Sequence, residues 1–328
     1  MILILGCNTS SSTKTKNVVN VRLGFNGLAM EYMKNTPPVK VFEGETFPII
    51  IKIRNNGAYS ILNEEKTILS LGVEKDYTQK IQLLESGRIK KIEGTDKPID
   101  NAAAFNIEGR SIINIKGEEE VVSYNVVAGK VDPQSETHAS TVVATLCYPY
   151  QTILDSSVCI DPDVSNLNLG KKACKVQDLT FNDGQGASVA VTKIEVSMLP
   201  AQISTESQSG NIVPQFLIFI ENRGQGTVIK KDVVNKFCIE SDTSHTNINI
   251  VNVQAFLSDK QLDCRKDKNE DIKKTFVKLK DKKELIRCTL QEGISTSNDA
   301  FSSPLNVILS YGYTSSISAN YVIQKIVR

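Results

Sequence analysis

The sequence predicts an all-β fold, with two antiparallel β-sandwich domains in tandem behind a flexible N-terminal tether. Three observations predict it. Val, Ile, Thr, Ser and Asn are abundant while Trp is absent, a composition that favours strands and turns over helices. Apolar runs of strand length alternate with Gly-, Asn- and Pro-bearing turn signals along the chain. One pattern is written twice: "FPIIIKIRNNGAYSI" from Phe47 and "PQFLIFIENRGQGTVI" from Pro214, each an apolar run that stops at Asn-x-Gly and then restarts. The 328 residues suffice for two domains of ordinary size, and 40% apolar residues are enough to build their cores.

The chain opens "MILILGCNTSSSTKTKN". Leu3-Ile4-Leu5-Gly6-Cys7 resembles the end of a prokaryotic lipoprotein signal. The resemblance implies that Cys7 carries lipid in the mature protein, anchoring it to a membrane. A full signal has a basic start and about 7–15 apolar residues, whereas Met1 to Gly6 precede Cys7 here. Residues 1–17 read as this start plus a polar tether. Asn8-Thr9-Ser10 is the one Asn-x-Ser/Thr sequon, which makes Asn8 a candidate glycosylation acceptor. No other segment approaches the apolar length needed to span a bilayer.

The first domain is placed at residues 18–162. "NVRLGFNGLAMEYM" supplies its opening strand, and Pro37-Pro38 fixes an extended lead-in. Gly44 in "VKVFEGETF" separates two short strands, and Phe47–Arg54 is the main one. "ILNEEKTILSLGV", from Ile61, is the longest candidate helix. The domain closes with a hairpin over Thr141–Ile160 centred near Ile153. After a linker at 163–173, the second domain at 174–328 repeats the order. "VAVTKIEVSML" opens it, Gly210 matches Gly44, and Phe216–Asn222 matches Phe47–Arg54. "KTFVKLKDKKELIR" reads as two strands around Asp281-Lys282. At the two ends, Leu146-Cys147-Tyr148-Pro149-Tyr150 aligns with Leu309-Ser310-Tyr311-Gly312-Tyr313. Two markers in one order at similar spacing predict a duplicated domain.

"VFEGETFPIIIKIRNNGA" resembles the opening of prokaryotic adhesion-type immunoglobulin-like modules of the CARDB-like kind, in which a Glu-Gly turn feeds a strand ending in Asn-x-Gly. The likeness covers about 20 residues of each copy. Together with the lipobox and tether, it implies a surface lipoprotein, of bacterial or archaeal type, carrying tandem immunoglobulin-like sandwiches.

Seven cysteines include no Cys-x-x-Cys pair, and neither histidine lies beside two of them, so no zinc site is expected. Six spread cysteines plus Cys7 suggest three disulfides and one special cysteine in an oxidising, extracellular setting. The hairpin placement predicts Cys147–Cys159, the two-strand reading predicts Cys264–Cys288, and Cys174 and Cys238 are left to pair with each other.

The search for chemistry finds no catalytic set. His138 and His245 sit in polar turn-like contexts without a nucleophile signature. No nucleophile elbow or phosphate loop is present, and "NDGQGAS" reads as a turn between strands. Asp161 and Asp163 are too few for a calcium cage, and Glu118–Glu120 reads as a solvated turn. No metal or cofactor is expected. Thirty-eight basic against 37 acidic residues argues against a nucleic-acid surface. The lysines of Arg265–Lys283 read as protection of an edge hairpin.

The leading expectation is a non-enzymatic, membrane-anchored cell-surface protein for adhesion, envelope scaffolding or partner binding, its protein or glycan partner unspecified. An alternative is a self-assembling extracellular filament, with the "SSSTKTKNVVNVRL" arm donated as a strand to the next subunit. A third is a glycan-binding or accessory module, which needs exposed aromatics. Tyr148, Tyr150, Tyr311 and Tyr313 are the clustered candidates, against a reading of them as core packing.

Overall fold

The computed structural model describes residues 20–93, 98–165, 170–200, 211–240, 244–265, 271–272 and 275–326. It is an antiparallel β protein. Its first half contains β1 (Leu28–Tyr32), β2 (Lys40–Phe42), β3 (Thr46–Asn55), β4 (Thr67–Gly72), β5 (Thr78–Leu84), β6 (Lys90–Glu93), β7 (Pro98–Phe105), β8 (Glu119–Ala128) and β9 (Thr137–Ile160). Its second half contains β10 (Leu179–Thr180), β11 (Val189–Pro200), β12 (Asn211–Asn222), β13 (Thr227–Ile229), helix α1 (Val234–Glu240), β14 (Ile250–Leu257), β15 (Lys260–Gln261), β16 (Phe276–Lys278), β17 (Lys283–Thr289), β18 (Ile294–Ser295) and β19 (Phe301–Gln324).

Alternation of apolar and polar side chains explains the layers. In β3, Phe47, Ile49, Ile51 and Ile53 are buried while the residues between them face outward. In β12, Ile212, Phe216, Ile218 and Ile220 do the same. One small sheet runs β1-β3-β8-β5 and the other β10-β11-β12-β17. Both pack on a single large sheet ordered β15-β14-β19-β9-β4-β7-β6. Phe47 of β3 meets Tyr321 of β19 with ring centroids 5.1 Å apart. The buried Tyr124 hydroxyl of β8 donates across the layers to the Leu69 carbonyl at 3.1 Å. One apolar core runs through both halves.

The large sheet joins what the sequence reads as separate domains. β9 and β19 are each 24 residues long and pair antiparallel throughout, from Thr137 opposite Gln324 to Ile160 opposite Phe301. Pro149 opposes Gly312 at the middle. In an immunoglobulin-like sandwich, one sheet is ordered A-B-E-D and the other contains C, F and G. Here β1, β3, β8 and β5 stand as A, B, E and D, while β4 and the first part of β9 stand as C and F. The place of G is taken by the last part of β19, which belongs to the other half. The second sandwich mirrors this. β14 and the first part of β19 stand as C and F, and the end of β9 stands as G. Each sandwich is thus closed by a strand from the other.

Two local expectations are corrected here. The stretch expected as a helix from Ile61 instead contains β4, because Ile68, Leu69 and Leu71 are all needed in the core. The hairpin expected near Ile153 is absent, since Thr137–Ile160 runs straight on. Around Asp281-Lys282, by contrast, a tight turn forms: both residues have positive φ, and Lys280 and Lys283 exchange backbone hydrogen bonds across it. The flanking strands then part, β16 to the large sheet and β17 to the small one.

Candidate functional site

The repeated Asn-x-Gly marks a structural corner at the middle of the molecule. Asn55 ends β3 fully buried. Its side-chain oxygen accepts from the Tyr150 hydroxyl and from the Gly57 amide, both at 3.1 Å, and its amide donates to the Tyr59 carbonyl at 2.7 Å. Asn222 ends β12 with the same three bonds. It accepts from the Tyr313 hydroxyl at 3.2 Å and the Gly224 amide at 3.1 Å, and donates to the Gly226 carbonyl at 3.0 Å. Glycine is required at Gly57 and Gly224 because a Cβ there would collide with the tyrosine hydroxyl. Tyr148 and Tyr311 also match, accepting from the amides of Leu28 and Val189, each at 3.2 Å. Leu28 pairs with Asn55 and Val189 with Asn222. This register places Ile49 on Phe216, two residues from the alignment of Phe47 with Phe216 expected above. A shift of two keeps every side chain on its own face.

The four tyrosines form one aromatic cluster across the β9–β19 pair. Ring centroids lie 5.5 Å apart for Tyr148 and Tyr150, 5.7 Å for Tyr148 and Tyr313, and 6.3 Å for Tyr311 and Tyr313. All four are buried, so they offer no surface platform for a glycan. Burial pushes their phenol pKa values up, and Tyr32, half-buried between the layers, is raised by burial to about 12.

The described cysteines form three disulfides, and two of the expected pairings are replaced. Cys147 bonds Cys238 on α1, tying the middle of β9 to the second half. Cys159 bonds Cys174, closing the connection between the halves. Cys264 bonds Cys288. Cys147–Cys159 and Cys174–Cys238 fail for one reason. With no hairpin, 12 positions along an extended strand separate Cys147 from Cys159 by roughly 40 Å. Three disulfides fit an oxidising, extracytoplasmic setting. Cys7 and Asn8 lie outside the described residues.

The remaining polar candidates are absorbed locally. His138 Nε2 lies 2.8 Å from Glu74 Oε2, and the His138 ring stacks on Tyr77 at 3.4 Å. The hydrogen bond from His138 holds the Glu74 carboxyl below its ordinary pKa, helped by the Thr141 amide and the Ser140 hydroxyl. Lys172 bridges Asp161 at 2.7 Å and Asp163 at 3.3 Å. Arg88 pairs with Glu118 and Glu120, and Arg54 with Glu119. The "NDGQGAS" turn stitches the halves: Gly24 donates to the Asp183 carbonyl at 2.6 Å, and Ala58 to the Gly186 carbonyl at 2.8 Å. No cluster of three or more potential metal ligands occurs among the described residues.

One exposed feature stands out and was missed from the sequence. The loop between β7 and β8 carries Ile112, Ile113 and Ile115 at 81%, 94% and 54% exposure. The sequence signal was Ser-Ile-Ile-Asn-Ile between turn residues, too short to read as a strand. Among the described residues no helix is long and apolar enough to cross a membrane.

No family model matches the chain, and no curated protein matches it. Several solved structures resemble it loosely. AvmM, which catalyzes macrocyclization in alchivemycin A biosynthesis, is 10% identical over 37% of this chain and 72% of its own, with a TM-score of 0.20. A partial N-terminal region of the enterococcal surface protein is 9% identical over 88% and 84%, at 0.22. The collagen adhesin CNA from S. aureus is 9% identical over 94% of each chain, at 0.20. Likeness at these TM-scores carries no argument, and the fold rests on the strand pairing and packing described above.

Proposed function

We propose that this chain is a non-enzymatic cell-surface protein that presents two sandwiches as one rigid body, tethered through lipid at Cys7. The observation that carries the reading is the joining of the halves. A 24-residue antiparallel pair runs through both sandwiches, and a disulfide from β9 to α1 crosses between them. Such a body suits adhesion or envelope scaffolding, where a surface must be held at a fixed attitude to the cell. The matched Asn55 and Asn222 corners support the view that the halves are a duplicated domain.

Fractionation of producing cells tests the reading. The wild-type chain should sediment with membranes, be accessible to protease on intact cells, and release a lipid-modified Cys7 peptide. The Cys7→Ser variant should appear in the soluble extracellular fraction. A protein found inside the cell with free thiols at Cys147, Cys159, Cys264 and Cys288 refutes it.

A further inference from the structure

We infer that the cleft at the seam of the two halves is a binding site for a neutral saccharide, such as the end of a glycan chain. The cleft measures about 430 Å³, within the roughly 300–1,000 Å³ of small-ligand sites. Both halves build it. The first contributes Arg22 and Leu23, from the segment leading into β1, and the Ile153–Asp155 stretch of β9. The second contributes the turn from Thr180 to Gln185. That turn is held in shape. The Gln185 side chain accepts from the Val191 amide at 3.0 Å and donates to the Val191 carbonyl at 3.1 Å. The Phe181 amide donates to the Thr192 carbonyl at 2.9 Å, and the Gly186 amide to the Gly24 carbonyl at 2.8 Å. Gly184 has positive φ, and a Cβ there would collide with the Gly24 carbonyl. A wall fixed in advance loses little entropy on binding.

The chemistry of the lining selects the ligand class. The described residues that line the cleft carry three charges, Arg22, Asp155 and Asp183. Arg22 is committed to Asp155, which also accepts from the Asn306 amide. The charge left over is negative, which disfavours phosphates, sulfates and acidic sugars. Thr180, Asn182 and Asp183 are exposed, and their side chains make no hydrogen bond or ion pair with the described residues. They set an unused hydroxyl, amide and carboxylate within four residues. A sugar hydroxyl both donates and accepts, so neighbouring hydroxyls on one ring need that mixture of partners. Beside these groups, the half-buried Phe181 and Ile153 and the exposed Leu23 form an apolar wall suited to the C–H face of the ring. An apolar ligand would instead leave the amide and carboxylate covered and unpaired. The inference names a partner class for the proposed surface role and takes only its extracellular setting from that reading.

The test uses the full chain as Cys7→Ser, with its disulfides intact, on an array of oligosaccharides. The array carries neutral chains of glucose, galactose, mannose and N-acetylglucosamine, with sialylated and sulfated counterparts. Binding is expected to neutral members and should change little with salt. On the best-bound neutral oligosaccharide, Asn182→Ala/Asp183→Ala should bind about tenfold more weakly, or weaker still, by calorimetry. Its thermal midpoint should not change, because both side chains are exposed and unbonded to the described residues. A blank array, retention of the acidic members alone, or equal binding by the double variant would overturn the inference. If the protein is found inside the cell yet binds neutral oligosaccharides through these residues, the surface reading fails and the saccharide cleft stands. If it is found at the surface and the array is blank, the surface reading stands and the saccharide cleft fails.

Discussion

Replacing Asn55 with alanine tests the account of the repeated Asn-x-Gly. The side chain is fully buried and makes three hydrogen bonds. Its loss orphans two buried donors, the Tyr150 hydroxyl and the Gly57 amide. The Tyr59 carbonyl belongs to a half-buried residue and can turn to water. At about 1.5 kcal/mol for each orphaned group, Asn55→Ala should cost about 3 kcal/mol. Asn222→Ala should cost less, about 2 kcal/mol, because the amide it abandons belongs to the half-buried Gly224. Urea unfolding with the disulfides intact measures both, and a double-mutant cycle with Tyr150→Phe isolates the shared bond. The Tyr150→Phe/Asn55→Ala pair should cost at least ~1 kcal/mol less than the sum of the single changes. Strict additivity, or a cost under ~1 kcal/mol for Asn55→Ala, would show that the corner is not what fixes the end of β3.

Other expectations follow from the same geometry. Because β9 and β19 serve both sandwiches, the full chain should unfold in a single transition by calorimetry, and two resolved transitions would contradict the joined sheet. Removing the Cys159–Cys174 bridge with a double serine variant frees a loop with a sequence separation of 15 and should cost about 3 kcal/mol in denaturant. Burial raises the Tyr124, Tyr148, Tyr150 and Tyr311 pKa values, so folded protein holds their protons after the unfolded chain has lost them. Stability is therefore complete below pH ~10 and falls as pH rises above it. Ultraviolet titration should show these phenolates appearing only with unfolding, and their reversible appearance in folded protein would argue against the buried cluster. Glu74 has the opposite sign. Its lowered pKa contributes stability above its unfolded value, lost as pH falls through the folded one, so Glu74→Gln should flatten the acid limb of the stability profile by well under ~1 kcal/mol.

Much of the fold could be read from local pattern. Apolar runs of strand length over Phe47–Arg54 and Phe216–Asn222 announced the strands, and Asp281-Lys282 announced its turn. What resisted reading was β9. Pro149 and the polar Asp155-Ser156-Ser157 look like places where a strand must turn. Proline is tolerated because β4 has already ended opposite Cys147 and only Gly312 faces it. The polar triplet lies where β9 pairs with β19 alone, and Asp155 is bonded by Arg22 and Asn306. Both facts belong to pairing with a strand some 160 positions away in the chain, and no local window contains them. The same non-locality misdirected the cysteines, since Cys147 and Cys238 are neighbours only once β9 is straight and α1 has packed on it. The isoleucine tip was legible as letters, but its exposure was not, because apolar residues in a short run read equally well as core.

The exchange of closing strands also governs the order in which the chain can fold. Domains made in sequence ordinarily fold in sequence, the first complete before the second emerges. Here residues 314–324 close the first sandwich, and β2 pairs with the last three residues of β19, Val322–Gln324. The first half must therefore wait, open along β9, until nearly all of the chain has arrived. Contacts between residues so far apart make folding slow and leave a long bare strand edge exposed meanwhile. A chain that crosses a membrane before folding meets that requirement naturally, because it is delivered whole to the place where it closes.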